Sequence, residues 1–129
     1  MALGPEHNVA DHAAWSASID HIRATPGFHG REWPPVDGMS LEENLADLER
    51  HARDFAERVG FTYTVLAPDG EDVLGCLYIY PARDERHDAA VSSWVRADVA
   101  ELDAVLHAAV SRWLADAWPF TAVDYADRA

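Results

Sequence analysis

The chain contains no lysine and no glutamine, and its ten basic residues are all arginines. The absence of lysine excludes mechanisms that depend on one, such as a Schiff base or the phosphate-binding lysine of a P-loop. A single cysteine, Cys76, can neither form an internal disulfide nor build a thiolate metal site by itself. No run of eighteen apolar residues occurs, so the sequence predicts no membrane span.

Positive charge is also scarce, with 10 basic residues against 23 acidic ones and a net charge of −13. Such a surface repels phosphate backbones and anionic lipids, so we expect neither nucleic acid nor a membrane as a partner. The residues from Met1 to Asn8 do not resemble a secretory signal, and a cytoplasmic location is expected. A length of 129 residues with 49% apolar and 26% charged residues predicts one globular domain over residues 1–129.

The first half of the chain is predicted to be helical. One helix is expected from about Ala10 to Arg23, ended by the segment Thr25-Pro26-Gly27. A long loop follows over residues 28–38, and loops of this length are often functional. Trp33 in this loop fits two interpretations, a lid over a pocket or a side chain packed onto the core.

A second helix gives the clearest pattern in the sequence. Ser40 and Glu43 form a capping box, in which each side chain accepts a hydrogen bond from a backbone amide that would otherwise lack a partner. Gly60 is expected to end this helix. Apolar residues then recur at alternating four- and three-residue steps and are predicted to face the sheet: Leu41, Leu45, Leu48, Ala52, Phe55 and Val59.

The second half alternates strands with one long helix. Strands are predicted over residues 61–66, 73–80, 89–96 and 120–125, and a helix over residues 98–117. The turn Ala67-Pro68-Asp69-Gly70 joins the first two strands into an antiparallel hairpin. The third strand, the helix and the fourth strand form a right-handed βαβ unit with parallel strands. The predicted fold class is therefore α/β (α+β by some counts), with a mixed sheet.

This order of elements resembles the GCN5-related N-acetyltransferase (GNAT) superfamily. The resemblance covers roughly residues 10–125. The segment Gly75-Cys-Leu-Tyr-Ile-Tyr-Pro81 after a Pro-Asp-Gly turn is similar to one family strand, Val91-Ser-Ser-Trp-Val-Arg96 lies in the place of the central strand, and residues 98–117 lie in the place of the helix that follows it. The resemblance implies an acyl-CoA-dependent N-acyltransferase that moves an acetyl group from acetyl-CoA to a small amine by direct attack. The acidic surface would attract a cationic amine.

In that family, acetyl-CoA inserts between the central strand and its parallel neighbour, with its pyrophosphate at the start of the next helix. The family's usual motif there is a basic residue or glutamine, two variable positions, and then glycine-x-glycine or glycine-x-alanine. In this chain Arg96 and Ala100 fit the outer positions, but the glycines are missing. Asp98 and Glu101 also fit a second capping box, which favours an alternative, a non-catalytic GNAT-like binding or interaction module. Carried over by position, the cofactor-binding residues are Ser93, Trp94, Val95, Arg96, Ala97, Val99 and Ala100.

Catalytic candidates are His87 and Asp88, because they precede the central strand where the family often places a base. A histidine suits a base that works near neutral pH. The same segment also has the composition of a solvated loop. No metal site is predicted, and Cys76 is expected to be buried and inert. Tyr78 and Tyr80 share the face of Cys76 and fit either a core or an acceptor pocket.

The resemblance also bears on assembly. The family's general-acid tyrosine, on a later helix, has no counterpart in this chain, nor do the family's outer strands. Sheet edges left open in this way invite pairing with another chain, so a homodimer is expected.

Overall fold

The computed structural model describes residues 1–128. Within that range, two short 3-10 turns accompany the regular elements, at Pro5–His7 and Ala97–Val99. None of the helices in the described part of the chain is both long and apolar enough to cross a bilayer. The helices are α1 (Asn8–Ser16), α2 (Ile19–Arg23), α3 (Leu41–Ala56) and α4 (Leu102–Ala117), and the strands are β1 (Phe61–Leu66), β2 (Val73–Pro81), β3 (Ala89–Val95) and β4 (Val123–Tyr125).

The four strands form one mixed sheet in the order β1-β2-β3-β4. The first three strands are antiparallel, and β4 runs parallel to β3. The predicted turn closes the first hairpin, with the Gly70 amide donating to the Ala67 carbonyl at 2.8 Å and Gly70 at a φ of +79°. The predicted mixed sheet and its βαβ unit are confirmed.

Two apolar clusters lie on opposite faces of the sheet, because alternate residues of a strand point to opposite faces. Helices α1, α2 and α3 cover one face, where the cluster includes Trp15, Leu48, Cys76 and Trp94. Helix α4 covers the other face. The cluster there is formed by Leu77, Ile79, Ala89, Val91, Val110 and Leu114.

The first predicted helix is divided in two. Helix α1 ends at Ser16, and α2 begins after Ser18. The Ser18 amide donates back to the Trp15 carbonyl at 3.0 Å, while the Ser18 hydroxyl accepts a hydrogen bond from the Ala97 amide at 2.9 Å. Ser18 therefore ties the break between the two helices to the segment that enters α4, a long-range contact that local sequence could not indicate.

Helix α3 begins as predicted but turns a different face to the sheet. Ser40 and Glu43 form the capping box, with both hydrogen bonds at 3.0 Å. The buried residues are Asn44, Leu48 and His51, whereas the predicted stripe is exposed at Leu41 (45%), Leu45 (37%) and Val59 (48%). The helix ends at Ala56, so Gly60 does not cap it. A Cβ at Gly60 would lie 2.1 Å from the Tyr80 ring, and close packing is the reason for this glycine.

The start of α4 also differs from the prediction. The helix begins at Leu102, and Glu101 at its N-cap makes no side-chain hydrogen bond. Asp98 instead pairs with the Arg96 guanidinium, at 2.9 and 3.0 Å. The expected second capping box is therefore wrong, because a strong ionic partner two residues away holds the Asp98 carboxylate.

Candidate functional site

A cleft of about 1300 Å³ lies on the face of the sheet opposite α4. The even-numbered side chains of β2 and β3 form its floor, α3 forms one wall, and the loop between α2 and α3 forms the other. Trp33 is half-buried, packs against Trp15 and Tyr78, and also lines the cleft, so it both packs down and borders the pocket. The floor and loop residues are Tyr78, Tyr80, Ala90, Ser92, Phe28, Trp33 and Met39.

His51 on α3 lies at the centre of a hydrogen-bonded group beside the cleft. Its Nδ1 is 2.9 Å from both the Tyr80 hydroxyl and the Thr62 hydroxyl. The Tyr80 hydroxyl donates its only proton to Asp54 Oδ2 at 2.8 Å. Tyr80 must therefore accept from His51, which places the imidazole proton on Nδ1 and leaves Nε2 as an acceptor.

The surroundings of His51 keep its imidazole neutral. Burial lowers the pKa of His51, and the positive charge of Arg50 lowers that pKa further. Burial and the hydrogen bond to Asp54 raise the pKa of Tyr80 to about 12, so Tyr80 stays protonated. The Arg50 guanidinium lies 3.4 Å from Nε2 and donates weakly to it, which agrees with an unprotonated Nε2. The group therefore offers a neutral imidazole, oriented by Tyr80, that can accept a proton at Nε2 once Arg50 moves aside.

The inner end of the cleft contains the buried carboxylate of Asp11, which is 4% exposed. The Asn44 amide donates to Asp11 Oδ2 at 3.1 Å and to the Asn8 side chain at 2.8 Å. The oxygen of the same amide accepts from the Trp15 indole at 3.0 Å. Burial raises the pKa of Asp11 to about 6, and the hydrogen bond from Asn44 opposes that rise.

Strand β4 pairs with β3 over all three of its residues, and β3 continues past the end of β4, which leaves a gap beside the unpaired edge of β3. The two strands pair only from Ala89 to Val91 on β3. The Arg96 amide donates to the Leu74 carbonyl, so the backbone groups of Arg96 point toward β2. Because the backbone groups of successive residues in a strand point to opposite sides, those of Ser93 and Val95 point toward the β4 side. Beyond Val91, this edge of β3 is free of β4.

Arg128 lies against that free edge, with only 5% of its side chain exposed. Its guanidinium donates to the Ser93 carbonyl at 3.0 Å and to Asp103 Oδ2 on α4 at 2.6 Å. An N–H donor therefore already occupies a backbone acceptor of β3 inside the gap. The Tyr125 ring packs beside the same guanidinium, 5.6 Å from its central carbon.

The seven residues predicted for the cofactor surround this gap and the start of α4. Trp94 is buried on the cleft side, where its indole donates to the Tyr78 hydroxyl at 3.0 Å. Arg96 pairs with Asp98 and, at 2.7 Å, with Asp72, so two carboxylates neutralise its charge. Ser93 and Val95 are buried, Arg96 and Val99 are half-buried, and Ala97 and Ala100 are exposed.

The two predicted catalytic residues lie at the outer rim. Asp88 Oδ2 accepts hydrogen bonds from the Thr121 amide, the Thr121 hydroxyl and the Ala122 amide, which hold the segment before β4 and lower the pKa of Asp88. The His87 imidazole is 2.9 Å from Asp84. Ligand atoms of Asp84, His87 and Asp124 lie within 4.8 Å of one another. The catalytic role of His87 and Asp88 stays a prediction.

Cys76 is fully buried, and burial raises the pKa of its thiol. The thiol therefore stays protonated, consistent with the expected inert residue.

Three solved acetyltransferase structures have a similar fold. The ribosomal-protein-S5-alanine acetyltransferase from Vibrio fischeri has a TM-score of 0.66 and 12% identity over 88% of this chain and 61% of that one. RimL, a ribosomal L7/L12 α-N-protein acetyltransferase in complex with coenzyme A, has a TM-score of 0.63 and 14% identity over 87% and 60%. An acetyltransferase from Thermus thermophilus has a TM-score of 0.59 and 19% identity over 89% and 66%.

Neither a family model nor a curated protein matches the sequence. The chain spans about three fifths of the length of the first two structures. At these identities the likeness shows the fold, and the predicted fold class is confirmed.

Proposed function

We propose that this chain, which has the fold of the GCN5-related N-acetyltransferases, is an acyl-CoA-dependent N-acyltransferase that acetylates a small amine. One observation supports this most directly: β3 borders two sites at once. Its even side chains, Ala90 and Ser92, face the cleft, while the backbone groups of Ser93 and Val95 face the gap. An acceptor in the cleft would lie on one side of this strand, and an extended ligand in the gap would lie along its edge.

The residues at the gap fit the amide-containing chain of coenzyme A. The Ser93 carbonyl already accepts from the Arg128 guanidinium, which stands in for an N–H donor of a ligand. Val95 directs its backbone groups to the same side. Arg96 at the entrance to α4 would supply positive charge for a pyrophosphate group, once Asp72 and Asp98 release it. When bound, acetyl-CoA supplies the acetyl thioester.

His51 is proposed as the base that takes a proton from the acceptor amine. Its Nε2 carries no proton, and Tyr80 together with Asp54 holds the Nδ1 proton in place. The imidazolium that forms on proton uptake lies near the carboxylates of Asp47 and Asp54, which favour its charge. The neutral amine would then attack the thioester carbonyl of bound acetyl-CoA. The N–C bond would form, the C–S bond would break, and the departing coenzyme A thiolate would take up the proton that the nitrogen loses.

The lining of the cleft favours a cationic acceptor. Three arginines line it, together with five carboxylates: Asp11, Glu32, Asp47, Asp84 and Asp124. The names of two similar structures specify ribosomal proteins as acceptors of those enzymes. For this chain we propose a small amine, because the Asp11 carboxylate lines the cleft yet is buried, so that only a small group can reach it.

The experiment measures coenzyme A release with a panel of small amines for the parent, His51→Gln and His87→Gln. We expect His51→Gln to lower kcat about 10²–10⁴-fold and to remove the acidic limb of the pH profile of kcat. His87→Gln, at the exposed rim, serves as the matched control and should lower kcat less than tenfold. Loss of activity in His87→Gln alone would instead identify the base predicted from the sequence.

The alternative, a non-catalytic GNAT-like module, is favoured by two specific contacts. Two carboxylates neutralise Arg96, and Arg128 fills part of the gap beside β3. Calorimetric titration of the protein with coenzyme A separates the two functions. An enzyme must bind the cofactor, and the absence of binding would favour the module.

A further inference from the structure

The carboxylate of Asp11 is buried at the inner end of the cleft without a cationic partner. Only 4% of the residue is exposed, and no ion pair to it is found within residues 1–128. The two nearby imidazoles are engaged elsewhere, His7 with the Gly4 amide at 3.0 Å and His12 with the Met39 carbonyl at 2.6 Å. A buried carboxylate held only by neutral groups is unusual, because burying a charge is unfavourable unless it is paired.

Aromatic rings line the same cleft. The Trp33 ring lies 6.0 Å from Phe28 and 6.1 Å from Tyr78, measured between ring centroids. All three rings line the cavity together with Asp11. Ring faces attract cations through their quadrupole, and an ammonium group enclosed by rings beside a carboxylate is bound by both. This end of the cleft therefore has the chemistry of an ammonium-binding pocket.

The cleft extends from this pocket to the side of the sheet formed by β3 and β4. Asp11 lies on α1, which packs over β2 near Cys76. Ala90 and Ser92 of β3 and Asp124 of β4 line the same cavity as Asp11. A ligand in the cleft can therefore contact Asp11 at one end and the β3 side at the other.

We propose that the acceptor carries a second cationic group, which Asp11 and the rings of Phe28, Trp33 and Tyr78 bind, while the amine to be acetylated lies near β3. The acceptor class is then a flexible dication with one nitrogen for each end of the cleft. This inference rests on the proposed function and specifies its substrate class. Asp11 is a binding residue in this proposal and takes no part in proton transfer.

The test is calorimetric binding to the full chain without coenzyme A. The probes are a series of linear α,ω-diamines of increasing length, with the monoamine and the amino alcohol of each length as controls. We expect one diamine length to bind at least tenfold more tightly than its monoamine and its amino alcohol, because only the diamine places a second charge at Asp11. Equal binding of the three compounds at every length, or no binding of any diamine, would overturn the proposal.

The matched variants are Asp11→Asn and Asp20→Asn. Asparagine keeps the size of the Asp11 side chain and can still accept from Asn44, so only the charge is lost. Asp11→Asn should reduce diamine binding to the monoamine level, whereas Asp20→Asn on the exposed side of α2 should retain the full preference. A preference for diamines that survives in Asp11→Asn would place the second cation elsewhere and refute the assignment.

The titrations test diamine binding and the activity assay tests acetyl transfer, so the two proposals can be refuted independently. Because the titrations contain no coenzyme A, a diamine preference that depends on Asp11 stands even if no acetyl transfer is found. Acetyl transfer to monoamines and diamines at equal rates and affinities would support the proposed function and overturn only this inference.

Discussion

Replacing Asp11 by asparagine should stabilise the folded protein at neutral pH. Burial raises the pKa of Asp11 from 3.8 to about 6. Each pKa unit corresponds to about 1.36 kcal/mol, so keeping this carboxyl ionised costs the folded state ~3 kcal/mol. Asparagine has no charge to bury and avoids this cost.

The sign of the pH dependence follows from the protonated form being favoured in the folded state. The contribution of Asp11 to the free energy of unfolding of the parent is therefore most favourable below the ordinary aspartate pKa of 3.8. This contribution decreases as the pH rises to about 6. The variant lacks this loss. The difference in free energy of unfolding between variant and parent should grow by ~3 kcal/mol between about pH 4 and pH 7, then stay constant.

Urea denaturation of both proteins at several pH values measures this difference directly. His7, His12 and Asp47 also act electrostatically on Asp11, and subtracting the parent curve removes their own titration to first order. Asp20→Asn is the control and should change the free energy of unfolding by less than about 0.5 kcal/mol at every pH. A difference that is independent of pH, or a variant less stable than the parent at pH 7, would refute the argument from burial.

Three further predictions concern packing and charge. Leu48→Ala should lower the free energy of unfolding by about 2–5 kcal/mol, whereas Leu41→Ala, at an exposed position of the same helix, should lower it by less than about 1 kcal/mol; denaturation midpoints compare them, and equal losses would contradict the observed helix face. Arg128→Ala should destabilise the protein by about 3 kcal/mol in the same assay, because it leaves the Asp103 carboxylate without its partner, and an unchanged midpoint would show that the pair adds nothing. Asp98→Asn should tighten coenzyme A binding at least about fivefold at low salt, equivalent to ~1 kcal/mol, by releasing part of the Arg96 charge; calorimetry that finds weaker binding would reverse the electrostatic argument.

The sequence predicted the first three strands and the hairpin well because their signals are local, whereas β4 begins at Val123 and not at the predicted residue 120. The turn over residues 67–70 carries proline and glycine at the positions that a tight turn requires, and β1 was predicted at its observed bounds. The start of α4 was less predictable, because Asp98 had two possible partners close by in sequence. Its pairing with Arg96 excludes the expected cap.

The inner face of α3 shows why the candidate base escaped prediction. Asn44, Leu48, His51 and Phe55 repeat at the same four- and three-residue steps as the leucine stripe, so the spacing alone fitted both faces. Apolar character favoured the leucines, and Leu48, which both faces share, is buried as predicted. The structure buries Asn44 and His51 beside it in place of Leu41 and Leu45, because the partners of these two polar residues come from other elements. Asn44 binds groups on α1, and His51 binds hydroxyls of β1 and β2. Periodicity detects which residues share a face but not which distant groups will satisfy them.

The free edge of β3 beyond Val91 presents main-chain atoms, which every amino acid provides alike. An edge of this kind can keep its pattern of donors and acceptors while most side chains around it are replaced, provided that the strand keeps its course. Selection then acts on the path of the backbone and on the few residues that bend or support it, such as Gly75, where a Cβ would lie 2.1 Å from the Trp94 carbonyl oxygen. Relatives of this chain should accordingly be easier to recognise by the backbone path of this strand than by any sequence motif within it.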